Sequence, residues 1–218
     1  MTVSISHNFT GDKTVNKLKT GIIELLSEKW YNSTLIFNII LMNAINITEM
    51  RIIMKEINIK ELNESACKMI GDDWMLVTAA RDGKVNTMTA SWGGLGVMWG
   101  KNVAFIVIRP QRYTKEFIDA ADTLSLTFYS SDRKKDLSYL GSVSGRDEDK
   151  ISKVGYTVAY EGDTPYFEEA EKVMIVKKLY AQEYRPECFI DKEAEAKWYE
   201  NKDYHTMYIC EIEKVMVK

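Results

Sequence analysis

Two runs rich in β-forming residues, Trp74 to Ala80 and Val85 to Trp92, flank Arg81-Asp82-Gly83-Lys84. Asp-Gly between such runs is a strong hairpin signal, because both residues accept the positive φ of a tight turn that suits strand twist. The chain is therefore committed early to antiparallel pairing. Val103 to Ile108 is a continuous apolar run rich in β-branched residues and reads as a buried strand. Thr123 to Tyr129, Tyr156 to Tyr160 and Lys172 to Glu183 read as further strands, and Thr206 to Val217 closes the chain as a long alternating one. Short helices are expected over Glu61 to Ile70, over Lys115 to Ala121 with Thr114 as N-cap, from Asp132 through Leu140, and over Ala194 to Tyr199. There is no sustained β-α-β alternation and no G-x-G-x-x-G following a strand, which argues against a dinucleotide-binding doubly wound sheet. The pattern fits a mainly β chain, an antiparallel barrel with helical insertions.

The 218 residues suffice for one domain with an appendage. Residues 1–53 are rich in Asn, Ile and Thr and read as an N-terminal extension outside the natural domain, which would begin at Met54 and span 54–218. The apolar run Leu35 to Ile47 is broken by Asn38, Asn43 and Asn46, too short and too polar to cross a membrane. It also begins late and lacks a small-residue cleavage site, unlike a secretory signal. A net charge of −3 gives no basis for broad nucleic-acid binding. Cys67, Cys188 and Cys210 are few and widely spaced, which suits a reducing cytoplasm better than a disulfide scaffold. No C-x-x-C is present and there are only two histidines, so no metal centre is expected. Nor does any serine sit in a G-x-S-x-G elbow.

Chemistry concentrates in two places. Asn86-Thr-Met-Thr-Ala-Ser-Trp92 offers backbone groups and short donors to a planar polar ligand, and the glycines at 93, 94, 96 and 100 either open the backbone to that ligand or shape a bent loop. Arg109, Arg112 and Thr114 then gather around Pro110 at a helix start. Two guanidinium forks, a hydroxyl and free helix N–H groups suit a phosphate, although a protein carboxylate would equally satisfy the arginines. The Ser142-Val-Ser-Gly-Arg146 stretch can form a nest of N–H groups for an anion. His205, between Tyr204 and Thr206, is either a satisfied structural histidine or a group that orients substrate beside a redox ring. A flat ring near one half and a phosphate near the other suggest a nucleotide-like cofactor.

Asn86 to Trp92, Arg109-Pro-Gln-Arg-Tyr-Thr114, Gly141-Ser-Val-Ser-Gly-Arg-Asp147 with Lys150, and Asp203-Tyr-His-Thr206 together resemble the flavin reductase-like family, its flavoredoxin branch above all. The resemblance runs from about Glu56 to Val217 with the motifs in family order. It implies a six-stranded antiparallel Greek-key split β-barrel that binds FMN, usually as a homodimer with FMN near the subunit interface. Carried over by position, Asn86, Thr87, Met88, Thr89, Ala90, Ser91 and Trp92 would line the isoalloxazine. Arg109, Arg112 and Thr114 would bind the phosphate, framed by Gln111 and Tyr113. Ser142, Ser144 and Gly145 would complete the site with Lys150, and His205 would stand near the ring or the electron donor as the catalytic candidate. The implied activity is a cytoplasmic oxidoreductase passing electrons from NADH or NADPH to flavin or another acceptor. The alternative is a non-enzymatic FMN electron carrier serving partner redox proteins.

Overall fold

The Asp-Gly hairpin forms as the sequence demands. In the computed structural model, which describes residues 54–218, Asp82 and Gly83 take φ of 51° and 73°. The reading of residues 1–53 lies outside the described residues. Strand β1 (Lys55–Ile57) is followed by the hairpin of β2 (Met75–Arg81) and β3 (Lys84–Ala90), whose partners run in register from Arg81 with Lys84 to Met75 with Ala90. A second hairpin joins β4 (Gly93–Met98) to β5 (Lys101–Ile108) through Trp99 and Gly100, again both at positive φ. Then come helix α1 (Tyr113–Ala120), β6 (Thr123–Phe128), α2 (Lys134–Ser142), α3 (Lys150–Val154), β7 (Val158–Glu161) and β8 (Thr164–Phe167). Strand β9 (Lys172–Glu183), α4 (Lys192–Trp198) and β10 (Thr206–Val217) complete the chain.

The main sheet runs β3-β2-β6-β9-β10-β5-β4, with β1 also on β10, and every pair is antiparallel. Its two outermost strands, β3 and β4, are joined by Ser91 and Trp92 alone. The three steps from Ala90 to Gly93 reach only about 10 Å, so the sheet must roll into a barrel to bring its edges together. The resemblance implies six strands, whereas this sheet contains eight. One addition is β4, a glycine-rich stretch that reads as a loop from sequence. A Cβ at Gly93 would lie 2.3 Å from the Phe105 carbonyl oxygen, so the glycine there serves close contact between strands. The other is β1, which shares one edge of the long β10 with β5.

Alternation on β2 builds two cores. Met75, Val77 and Ala79 point into the barrel with Ile106, Leu124, Leu126, Met174 and Tyr208. Leu76 points outward and packs with Leu137 and Leu140 of α2, and with Tyr156, Phe167 and Ile175. The expected helix over Glu61 to Ile70 is instead a 3-10 turn at Ile59–Glu61 and a π-helical turn at Lys68–Asp73. Asn58 and Ser65 accept from the backbone N–H groups of Lys60 and Lys68, which divides the run into separately capped turns. The cap of α1 also moves. Arg112 is the N-cap, and Thr114 lies inside the first turn with its hydroxyl accepting from Asn86 Nδ2 at 3.1 Å. No helix among the described residues is long and apolar enough to cross a membrane.

Candidate functional site

Strand β3 forms the floor of two neighbouring clefts that share Met88 and Arg112. The aromatic cleft, about 280 Å³, is lined by Thr89, Ala90, Ser91, Trp92, Val107, Arg109, Trp198 and His205 besides the shared pair. The basic cleft, about 170 Å³, adds Asn86, Gln111, Tyr113, Thr114, Ser142, Val143, Ser144, Gly145 and Lys150. Together they fall within the roughly 300–1,000 Å³ range of small-molecule sites.

Local chain geometry explains the basic cleft. A glycine at 145 gives close contact, because a Cβ there would come within 2.4 Å of Asn86 Oδ1 and force that side chain to shift. The glycine therefore lets the Ser142–Arg146 loop lie against β3 and the N-terminal turn of α1, whose N–H groups favour an anion. Lys150 is 4% exposed, and its ammonium donates to the carbonyls of Leu140 (2.7 Å) and Val143 (2.8 Å) at the C-terminal end of α2. Burial, and then the nearby charge of Arg112, lower its pKa from 10.5 to about 8. Arg112 donates to the Gly141 carbonyl at 2.7 Å. Among the described residues neither cation meets a carboxylate. Arg146 points elsewhere: it pairs with Glu116 and lies over the Tyr113 ring at 4.4 Å.

In the aromatic cleft, pairing of Thr206 with Ile108 sets His205 beside Arg109. Arg109 forms a salt bridge with Asp203, donates to the Trp198 carbonyl at 2.9 Å and lies 5.3 Å from the Tyr199 ring centre. Gln111 donates to the same Asp203 oxygen at 2.7 Å. Arg109, unlike Arg112, thus already has its anion, and this clamp ties the β9–β10 connection to β5. His205 is 7% exposed, and its Nδ1 lies 2.7 Å from the Tyr199 hydroxyl. Burial first, then the Arg109 charge, lower its pKa to about 4, so the ring is neutral at physiological pH. Trp92 packs edge-on against Trp198 at 4.9 Å and lies 5.2 Å from the His205 ring; the two tryptophans stay 37% and 46% exposed.

No protein-family model matches the chain, and no curated protein matches it. Solved structures do. A flavoredoxin from Methanosarcina acetivorans matches with TM-score 0.54 and 21% identity over 67% of this chain and 68% of that one. The FMN-binding domain of a flavin reductases-like enzyme from Shewanella baltica matches with TM-score 0.56 and 15% identity over 76% and 77%. The chain has the split β-barrel fold that these structures share. The NADH:FAD oxidoreductase SgcE6 of Streptomyces globisporus, solved with NAD and FAD fragments, is also similar (TM-score 0.51, 14% identity, 67% of this chain and 74% of that one).

Within this fold, every residue that the resemblance assigns to the cofactor or to catalysis lines the paired clefts except Thr87, whereas the glycines at 93, 94, 96 and 100 and Arg146 lie outside them. Thr87 lies in neither: it is fully buried and its hydroxyl bonds with Thr78 Oγ1 and the Val77 carbonyl inside the sheet. Sequence reasoning missed Val107, Val143, Trp198 and the clamp role of Asp203. Trp198 and Asp203 did leave a signal, since the segment Trp198-Tyr-Glu-Asn-Lys-Asp-Tyr-His205 is dense in aromatic and polar side chains.

Proposed function

We propose that the chain is an FMN-binding redox protein that takes hydride from NADH or NADPH and passes electrons to free flavin or another acceptor. One observation carries the cofactor reading. Buried Lys150 and half-buried Arg112 face one cleft with no carboxylate between them among the described residues, an arrangement that costs free energy until an anion arrives. The ribityl phosphate is that anion. The adjoining aromatic cleft, with small residues on its β3 floor and Trp92 and His205 beside them, suits a flat polar ring. The FMN-binding proteins that share the fold support the same assignment.

In this reading Arg112, Lys150, Thr114, Ser142 and Ser144 hold the phosphate, and Gly145 keeps the loop close enough to do so. Arg109, occupied by Asp203, fixes the wall of the aromatic cleft and places its charge near the ring. Bound FMN supplies hydride and electron chemistry at its isoalloxazine, while the protein contributes orientation and electrostatics. Trp92 and Trp198, exposed at the cleft mouth, offer stacking faces to a planar donor, and the nucleotide-bound relative of the same fold supports a pyridine nucleotide in that role. A homodimer would cover Val97 and Trp99, which are 70% and 60% exposed, together with the neighbouring Tyr180. Residues 54–218 form the compact unit that would carry this function, and the three unpaired cysteines fit a cytoplasmic setting.

The alternative is an FMN electron carrier that uses no pyridine nucleotide, supported by the flavoredoxin likeness. Anaerobic spectra of the FMN-loaded protein separate the two. Bleaching of the flavin bands by NADH or NADPH supports the enzyme, whereas bleaching only by dithionite supports the carrier. A protein that stays colourless in excess FMN refutes both.

A further inference from the structure

The partner of His205 determines which of its nitrogens carries the proton. Tyr199 and His205 are both buried, with the hydroxyl 2.7 Å from Nδ1. Two arrangements are chemically open: the hydroxyl donates to Nδ1, or an Nδ1–H donates to the hydroxyl. In the second the hydroxyl proton would need another acceptor, and none bonds the Tyr199 hydroxyl among the described residues. A buried donor left without a partner costs about 1–3 kcal/mol, so the first arrangement prevails.

Burial is the main cause that keeps the ring neutral, and the charges of Arg109 and Arg112 act with it; Asp203 alone favours protonation, and it is already bonded to Arg109 and Gln111. Tyr184, whose N–H donates to the His205 carbonyl, contributes a second aromatic ring 6.4 Å away. With Nδ1 accepting and the ring neutral, the single proton lies on Nε2. His205 lines the aromatic cleft and Tyr199 does not, so the ring edge turned away from Tyr199 faces that cleft.

We infer that Tyr199 is a positioning residue that fixes His205 as the neutral Nε2–H tautomer, giving the aromatic cleft a permanent, uncharged hydrogen-bond donor. Burial raises the pKa of the Tyr199 phenol, and the Arg109 charge above its ring offsets part of that rise. The ligand atom opposite His205 is therefore an acceptor, such as a carbonyl oxygen or an unprotonated ring nitrogen, and never an N–H. That this acceptor belongs to a flavin or to its electron donor rests on the function proposed above; the tautomer itself does not.

Nitrogen-detected NMR of the full chain labelled with 15N-histidine tests the inference. Only His7 and His205 contribute signals, and His205→Asn identifies the second set by its loss. The wild-type protein is expected to show His205 as a pure Nε2–H tautomer, unchanged from about pH 8 to pH 5.5 given a pKa of about 4. Tyr199→Phe keeps the ring and is expected to lose that single-tautomer pattern for a mixture. A wild-type His205 protonated on Nδ1 overturns the inference even if the variant fails to fold, and so does a variant whose tautomer is unchanged. FMN titration of the same samples keeps the two ideas apart, because failure to bind FMN refutes the function while leaving the tautomer result standing.

Discussion

On the proposed function, replacing Arg112 by alanine isolates the phosphate half of the site. Its guanidinium reaches no carboxylate among the described residues, and its one protein bond goes to the Gly141 carbonyl, near enough to the surface for water to replace it. What the substitution removes is thus mainly the charge-assisted contact with a bound phosphate. Such contacts contribute about 1.5–3 kcal/mol, which corresponds to roughly 10- to 150-fold weaker FMN binding. Lys150 remains in place, so binding should weaken without disappearing. Riboflavin, which has the same ring and ribityl chain without the phosphate, provides the control. Its affinity should change by less than about threefold, because Arg112 only borders the aromatic cleft. Both dissociation constants can be measured by quenching of flavin fluorescence on titration with protein. Equal losses for FMN and riboflavin would refute the reasoning, as would an Arg112→Ala protein that binds FMN with wild-type affinity.

Other expectations follow from the same geometry. Gly145→Ala should cost about 1–3 kcal/mol in urea denaturation and weaken FMN, since its Cβ must displace Asn86 and break the bond to Thr114; unchanged stability would mean the loop relaxes freely. Lys150 has a folded pKa of about 8 against 10.5 unfolded, so between these values the unfolded chain binds more protons and FMN-free protein gains stability as pH rises. The gain is on the order of 3 kcal/mol, should vanish in Lys150→Met, and is followed by melting temperature against pH. His205, lowered from 6.5 to about 4, acts with the same sign in the acid range: its stability contribution is full above pH 6.5 and lost as pH falls toward 4. His205→Gln should flatten that acid limb, and an unaltered limb would place its origin elsewhere.

Where sequence and structure agree, the signal was local. The turn at Asp82-Gly83 and the bounds of β9 and β10 follow from residue chemistry and alternation inside one window. Strand β4 was hidden because its glycines answer to Phe105, a residue on another strand. The arginine pair shows the same limit. Sequence placed Arg109 and Arg112 three residues apart with equal claims on an anion, and only the fold reveals that Asp203, 94 residues away, takes Arg109 and leaves Arg112 free. Helix α3 was missed because its five residues give too short a window for any periodicity, yet it supplies the buried Lys150.

Because one strand underlies both clefts, β3 also acts as a ruler. Asn86 lies in the basic cleft and Ala90 in the aromatic one, four residues or about 13 Å apart at the rise of an extended chain. Every residue of β3 is paired with β2, so this length can neither stretch nor shrink, and a single insertion would reverse which side chains face the ligand. On the proposed function, the spacing between ring and anion in the ligand is thus built into the barrel wall. Divergence toward longer or shorter ligands would have to proceed through the Ser142–Arg146 loop and the β9–β10 connection, which can change length without disturbing the sheet.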